Sequence, residues 1–405
     1  MNPSESASRG GAADTLASLD ALGGSARGAV KITAIKALQP KAGATLIRIE
    51  TDAGIVGYGP CNESGPVSRA VIDSIANGRL PHLWPVGKDP LAIGVHHHNL
   101  FYAYPQRGRI MRLLSGIDIA LWDLAGKILG QPVHKLLGGP FRDEIPLYSH
   151  LQGGAVLDRA FWRDRAQEAK SDPNGFKAYK IDIHHPLGVR MQETITSISP
   201  ADARKVARSY ALAREELGDD IDIIVHCHAE LDVPSAIRVA EAVEPIKPLF
   251  YEDPLDPAFS EPWLALRRAT RLPIMTGENL ALAEAALPFL QTQAVNYLQP
   301  DLMNAGGITG TKLIADLAAL YRVPVCLHNV SGYALNLASQ QVSAALFNCP
   351  MMECVRTGDK APEAASNAPV IRDGKMKVST QPGLGIDLDE EYLKANRAPG
   401  EPWWD

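Results

Sequence analysis

The chain has 405 residues and a formal net charge of −6, too long for one small domain and without the basic excess of a nucleic-acid binder. Hydrophobic residues make up 46% and charged residues 21%, an ordinary globular composition, and no apolar run reaches the roughly 18 residues of a membrane span. The five cysteines, at 61, 227, 326, 349 and 354, follow no zinc, redox or disulfide spacing, which fits a reducing cytoplasm.

Residues 1–28 are rich in Ala, Ser and Gly and lack the apolar core of a signal peptide, so a loosely ordered tail is expected there. "VKITAIKAL" and "ATLIRIETDAGIVGYG" alternate apolar and polar residues around an Asp-Ala-Gly turn, which predicts an antiparallel meander. From about Asn62 the pattern turns helical. "RLLSGIDIALWDLAGKILG" places Leu114, Ile117, Leu121, Leu124 and Ile128 on one face and stops at Gly130. A sheet-plus-helices domain is expected over 29–143.

From Glu144 short apolar strands alternate with amphipathic helices: "IPLYSH", "FKAYKIDI", "IDIIVHCH", "PLFYEDP", "PIMTGEN", "VNYLQPD", "VPVCLHN" and "MMEC". Eight such strands with helical connections predict a parallel barrel over 144–357. The last segment, 358–405, has Gly and Pro turns and no further barrel unit, and is expected to return to the first domain.

The polar residues that close these strands are Lys180 and Asp182, His226 and His228, Glu252, Glu278, Asp301, His328 and Glu353. From His226 to Glu353 they recur every 23 to 27 residues, close to the roughly 30 residues of one barrel unit. Each therefore stands one unit after the last, at one height. Barrel active sites lie at the C-terminal strand ends, so this ring of acids, imidazoles and an amine converges on one volume. A lone strand-end carboxylate is as readily a loop acid or helix N-cap, and a lone histidine a satisfied core side chain. Six strand ends in phase do not yield to that reading. His96–His98 and His184–His185 lack partners at matching spacing and are expected at surface or loop positions.

Residues 226, 252 and 278, on consecutive strands, can hold a hard divalent ion such as Mg²⁺. Such an ion stabilises charge growing on a substrate carboxylate. On the next two strands Asp301 can orient His328 and raise its basicity. The combination suits proton abstraction α to a carboxylate.

"SGIDIALWDLAGKILGQPVHKLLGG", "YEDP", "TGEN", "QPDLMNAGGIT", the His of "VCLHNVSGYALNLAS" and "LDVPSAI" together resemble the enolase superfamily, in its mandelate racemase-like subgroup. The resemblance runs from Val30 to about Leu393. It implies an α+β capping domain on a modified (β/α)₇β TIM barrel that binds Mg²⁺. In the family, metal carboxylates stand on strands three, four and five. Glu252 and Glu278 match the last two, but His226 stands where Asp is usual. One imidazole and two carboxylates carry one negative charge fewer, so Mg²⁺ should bind loosely and Mn²⁺, Fe²⁺ or Zn²⁺ relatively better. His228 matches a position that is His in several sugar-acid dehydratases and can act as a general acid. Racemases carry Lys-x-Lys on the second strand. Lys180 matches the first, which helps hold the substrate carboxylate, whereas Asp182 replaces the second, a base, and is a candidate second acid–base group. Glu353 matches an acid that hydrogen-bonds the enolate oxygen. The loops around "LQPKAGA" and "YGPCNESG" match those that close over the substrate.

The resemblance implies dehydration of an acid sugar, an aldonate or aldarate, to a 2-keto-3-deoxy acid. A racemase, epimerase or cycloisomerase using Asp182 or His228 as second acid–base group is the alternative, as is a non-catalytic relative whose metal site has decayed through His226. The expected partner is a small carboxylate, with no nucleic acid or membrane. A cytoplasmic homo-oligomer, dimer to octamer, is expected.

Overall fold

The chain is described from a computed structural model, which describes residues 30–78, 81–103, 108, 110–151, 153–190, 196–354, 369–386 and 388–404. The tail expected over 1–28 lies outside these residues, as do the boundary at 357 and 358 and the link that follows the eighth strand.

Strands β1 (Ile32–Leu38), β2 (Thr45–Thr51) and β3 (Val56–Cys61) form the antiparallel meander read from the sequence. Gly54, at φ +74°, makes the turn between β2 and β3, a conformation that costs glycine little. The helix Ile110–Leu129 packs along β3. Leu114, Ile117, Leu121 and Leu124 are at most 1% exposed, as the one-faced pattern requires. The opposite face is covered too: Trp122 Nε1 donates to Thr309 Oγ1 at 2.9 Å, which joins this helix to the helix Gly307–Leu320. Gly130, at φ +62°, terminates the helix.

Strands β4 (Glu144–His150), β5 (Ala178–Asp182), β6 (Asp222–His226), β7 (Phe250–Glu252), β8 (Ile274–Thr276) and β9 (Tyr297–Leu298) pair in parallel in chain order. Strand β10 (Met352–Glu353) pairs in parallel with β4. The strand expected in "VPVCLHN" is reduced to parallel bridges, Leu298 with Val325, Asp301 with His328, and Leu327 with Met352. The pairings thus run round and return to β4, the order of a (β/α) barrel. The final segment adds something its turn-rich sequence does not announce. Strand β11 (Ile371–Arg372) forms a hairpin with β12 (Lys375–Lys377), and β12 runs antiparallel to β4. Only then does the chain reach the meander, where Glu390 accepts from Arg48 at 2.8 Å and Tyr58 at 2.7 Å.

Strand alternation divides the barrel side chains into two sets. Ile223, Val225, Tyr251 and Ile274 join the large cluster shared with the surrounding helices. Tyr148, Ala178, Ile224, Phe250, Met275 and Cys326 form a separate buried cluster in the barrel interior. This apolar layer is the floor on which the polar strand ends stand.

Candidate active site

Two residues beyond each interior position comes a side chain on the same face. His150 follows Tyr148, Lys180 follows Ala178, His226 follows Ile224, Glu252 follows Phe250, and His328 follows Cys326. Glu353 follows Met351, which packs against the same cluster, and Gln299 and then Asp301 follow Tyr297. Glu278 breaks this phase. Gly277, at φ +146°, turns the chain where an added Cβ would stand 2.7 Å from Gln299 N, so only glycine passes without strain and Glu278 is carried into the ring one residue late.

The structure brings the predicted residues together. Lys180 Nζ lies 2.6 Å from Glu252 Oε1 and 2.9 Å from Glu353 Oε1, all three buried. His328 Nδ1 is 2.7 Å from Asp301 Oδ2, while its Nε2 lies 3.2 Å from Glu278 Oε2 and 3.7 Å from Glu353 Oε2. His226 Nδ1 is 2.9 Å from Asp182 Oδ1, and its Nε2 lies 3.5 Å from Glu252 Oε1 and 4.0 Å from Glu278 Oε2. His228 Nε2 is 3.9 Å from Asp182 Oδ1. The His226 and His228 ring centroids are 3.8 Å apart. Strand β6 ends at His226, and His228 and Ala229 take φ of +54° and +62°. A left-handed turn therefore brings these rings together, rather than strand alternation alone.

Burial and charge set the protonation of the ring. Burial alone would lower Lys180, but Glu252, Glu353 and Glu278 hold it above its ordinary value as an ammonium. Burial would raise Glu353, but Lys180, His328 and His150 keep it well below the usual range. For His328 burial is outweighed by Glu278, Glu353 and Asp301, which push it up to about 10. Burial and the neighbouring His226 push His228 down to about 3. Asp253 is pushed up to about 7 by burial and by Glu278 and Glu252. The repulsion that Glu278 and Glu252 exert on the buried Asp253 marks a place where a positive charge is favoured.

The donor set fits a divalent ion. Ligand atoms of His226, Glu252, Asp253 and Glu278 all lie within 4.8 Å of one another. His226 Nε2 and Glu252 Oε2 are buried with no hydrogen-bond partner. An unpartnered lone-pair donor beside an unpartnered carboxylate oxygen is stable when both turn to a metal.

Four residues at this site lie outside the sequence prediction. His150 Nε2 bonds Glu353 Oε1, and His150 closes "IPLYSH" as a polar residue just as Lys180 marks the next strand, so the same reading extended to the first strand would have found it. Asp253 follows Glu252 in "YEDP"; its φ of +44° folds it back beneath the ring, where Thr276 Oγ1 donates to it. The expectation for the histidine pairs needs correction. His184 is buried, its Nε2 3.1 Å from Glu230 Oε2 and its ring 4.9 Å from that of His228, and His185 Nε2 lies 3.7 Å from Asp182 Oδ2. They reach the site because the short helix His184–Leu187 starts immediately after β5. His96 and His97 are buried as well, against Asp89 O at 2.8 Å and Asp118 Oδ2 at 3.1 Å; His98 is exposed, as expected.

The two loops matched to substrate closure border one cavity. It measures about 580 Å³, and Gln39, Thr45, Asn62, Glu63 and Arg112 are among its lining residues. Arg112 Nε donates to Asn304 Oδ1 at 3.2 Å, and Asn304 Nδ2 donates to Glu278 O at 2.8 Å, so this wall is tied to the ring. Among the described residues no helix is long and apolar enough to cross a membrane, and none of the five buried cysteines forms a disulfide.

Comparison with known proteins agrees with this architecture. Residues 29–138 match the family described as mandelate racemase / muconate lactonizing enzyme, N-terminal domain, and residues 162–392 match enolase C-terminal domain-like. The chain is 32% identical to a D-xylonate dehydratase of Haloferax volcanii, over 89% of this chain and 87% of the relative. It is 30% identical to a D-gluconate dehydratase of Thermoproteus tenax, over 87% of this chain and 69% of the relative. A crystal structure of a mandelate racemase/muconate lactonizing enzyme-like protein from Rubrobacter xylanophilus superposes with a TM-score of 0.81 at 30% identity, covering 93% of this chain and 100% of that one. With both halves of the fold matched and the strand-end ring in place, the chain belongs to the mandelate racemase/muconate lactonizing enzyme family of the enolase superfamily.

Proposed function

We propose that the protein is a hydro-lyase that dehydrates an acid sugar to a 2-keto-3-deoxy acid, within a soluble cytoplasmic homo-oligomer. His328 Nε2 takes the proton α to the substrate carboxylate. Asp301 holds the ring through Nδ1 and stabilises the imidazolium that forms. Lys180 and Glu353 lie where negative charge develops on the carboxylate, and the Lys180 ammonium is fixed there before substrate arrives. Glu353, ionised beside Lys180 and His150, holds the Lys180 ammonium at 2.9 Å for the oxygen on which the enolate forms. His228 gives a proton to the departing β-hydroxyl. The C–O bond breaks, water leaves, and the resulting enol tautomerises to the keto acid. Burial is the larger cause that lowers His228; the smaller one is repulsion from a cationic His226, which a neutral His226 removes.

His226, Glu252 and Glu278, with Asp253 beneath them, would hold a divalent ion, Mg²⁺ or a softer ion such as Mn²⁺. Bound there, it supplies Lewis-acid stabilisation of the substrate carboxylate and lowers the negative charge that now raises His328.

The observation that carries this reading is the engagement of Asp182 with His226 at 2.9 Å. Asp182 commits Oδ1 to the His226 ring, whereas His328 keeps Nε2 towards the pocket, so in this reading abstraction starts from the His328 face. The acid-sugar substrate class rests on the relatives' names, and those names differ in the sugar. The test is a panel of aldonic and aldaric acids incubated in deuterated buffer with Mg²⁺ or Mn²⁺. Keto-acid release from at least one is expected. Exchange or epimerisation at the α-carbon without keto acid would move the reading to an epimerase; neither from any acid would overturn it.

A further inference from the structure

Asp182 and His226 are partners in the strand register, Cα opposite Cα across β5 and β6. Their side chains meet through Asp182 Oδ1 and His226 Nδ1 at 2.9 Å. A carboxylate is an acceptor only, so Nδ1 carries a proton at this contact. His226 is 3% exposed, and its other nitrogen, Nε2, is buried without a hydrogen-bond partner. That nitrogen faces Glu252 Oε1 at 3.5 Å and Glu278 Oε2 at 4.0 Å. When a divalent ion binds there, the proton that stays on the ring is the one Asp182 holds, and the lone pair is left on the side of the two glutamates. The other groups around Asp182 are also imidazoles: His185 Nε2 at 3.7 Å and His228 Nε2 at 3.9 Å. Of these three contacts only the one with His226 is within hydrogen-bond distance, so it alone has a defined geometry.

We propose that Asp182 is a positioning residue of the divalent-ion site. It fixes the Nδ1–H tautomer and ring angle of His226, so that a neutral imidazole serves where a carboxylate would otherwise be needed. The acidic residue on β5 and the histidine on β6 then form one unit. The carboxylate would supply, through its hydrogen bond to Nδ1 and across the ring, part of the negative charge that the imidazole does not bring. Asp182 ceases to be a candidate second acid–base group.

This rests on the reading of His226, Glu252 and Glu278 as a metal site, and the test separates the two. The full chain is freed of metal with a chelator and titrated calorimetrically with Mn²⁺ alone. Wild-type protein is expected to bind one Mn²⁺ per chain at this site, and Glu278→Gln to weaken it. Asp182→Leu is expected to weaken Mn²⁺ binding about 10–100-fold, the range for losing a carboxylate behind a ligating histidine. Asp182→Asn keeps an oxygen acceptor but loses the charge, so it should fall between wild type and Asp182→Leu. The metal-free melting temperature of Asp182→Asn should match wild type, which a merely structural role would not require. If wild-type protein binds no Mn²⁺, the metal reading fails and the inference with it. If wild type binds Mn²⁺ and Asp182→Leu binds within twofold of it, the metal site stands and the positioning role is wrong. Should Asp182→Leu fail to fold, Asp182→Asn decides by the same twofold criterion.

Discussion

His226 and His328 each have a carboxylate on Nδ1 and use that contact for different ends. Asp301 stands behind His328 at 2.7 Å and leaves Nε2 facing the pocket, the geometry of a base with an orienting acid. His328→Asn is therefore expected to reduce both keto-acid formation and α-deuterium exchange by about 10²–10⁴-fold, the usual loss for an acid–base group. His228 should separate from it. If His228 protonates the leaving hydroxyl, His228→Asn slows keto-acid release while α-exchange continues, because carbon deprotonation does not pass through it. Equal loss of both rates would place His228 in substrate binding instead. His328 was legible in the sequence from the barrel spacing, and His228 from its place beside His226 and the family resemblance. His150 was equally legible, two residues after Tyr148, but the count began one strand too late. His184 and His185 were not. Their approach depends on a helix that begins directly at the end of β5, and spacing between strands carries no information about that turn.

At the scale of elements, the sequence located the strands better than it measured them. β7 and β8 each keep three ladder residues, because Asp253 and Gly277 turn the chain at their ends, and β9 and β10 keep two. The helix Ile110–Leu129 shows the opposite case, where periodicity named the buried face and missed how closely β3 approaches it. A Cβ on Gly59 would stand 2.7 Å from Ala120 N and closer still to Gly116 O. Both are helix backbone atoms with nowhere to move. Gly59→Ala is expected to destabilise the chain by about 1–3 kcal/mol, the cost of overpacking a filled interface. A urea midpoint lowered with an unchanged slope would show it. An unchanged midpoint would mean that β3 and the helix separate freely.

For the whole molecule, the helix that carries "IDIALWDLAGK" acts as the joint between parts distant in sequence. Asp118 accepts from Thr309 N at 3.0 Å, on the barrel side. Asp123 is fully buried and accepts from Tyr58 N in β3 and from Leu384 N in the C-terminal segment, each at 2.8 Å. Lys127 Nζ completes it at 2.6 Å. One carboxylate thus binds the meander, the helix and the returning chain, and none of these contacts can be inferred from periodicity, since the partners lie 65 and 261 residues away. Asp123→Leu would leave two buried backbone N–H groups without an acceptor and a lysine without its counter-charge. Each orphaned N–H costs about 1–3 kcal/mol, a large share of the 5–15 kcal/mol typical of a domain. The substitution is expected to lower the unfolding midpoint strongly. The C-terminal segment should become open to proteolysis at lower denaturant than the barrel, because its anchor at Leu384 is gone while β12 still pairs with β4. Asp123→Asn, which keeps one acceptor oxygen, should lose less than Asp123→Leu. If both variants unfold as wild type does, the three parts are held by their other contacts and Asp123 contributes nothing to their union.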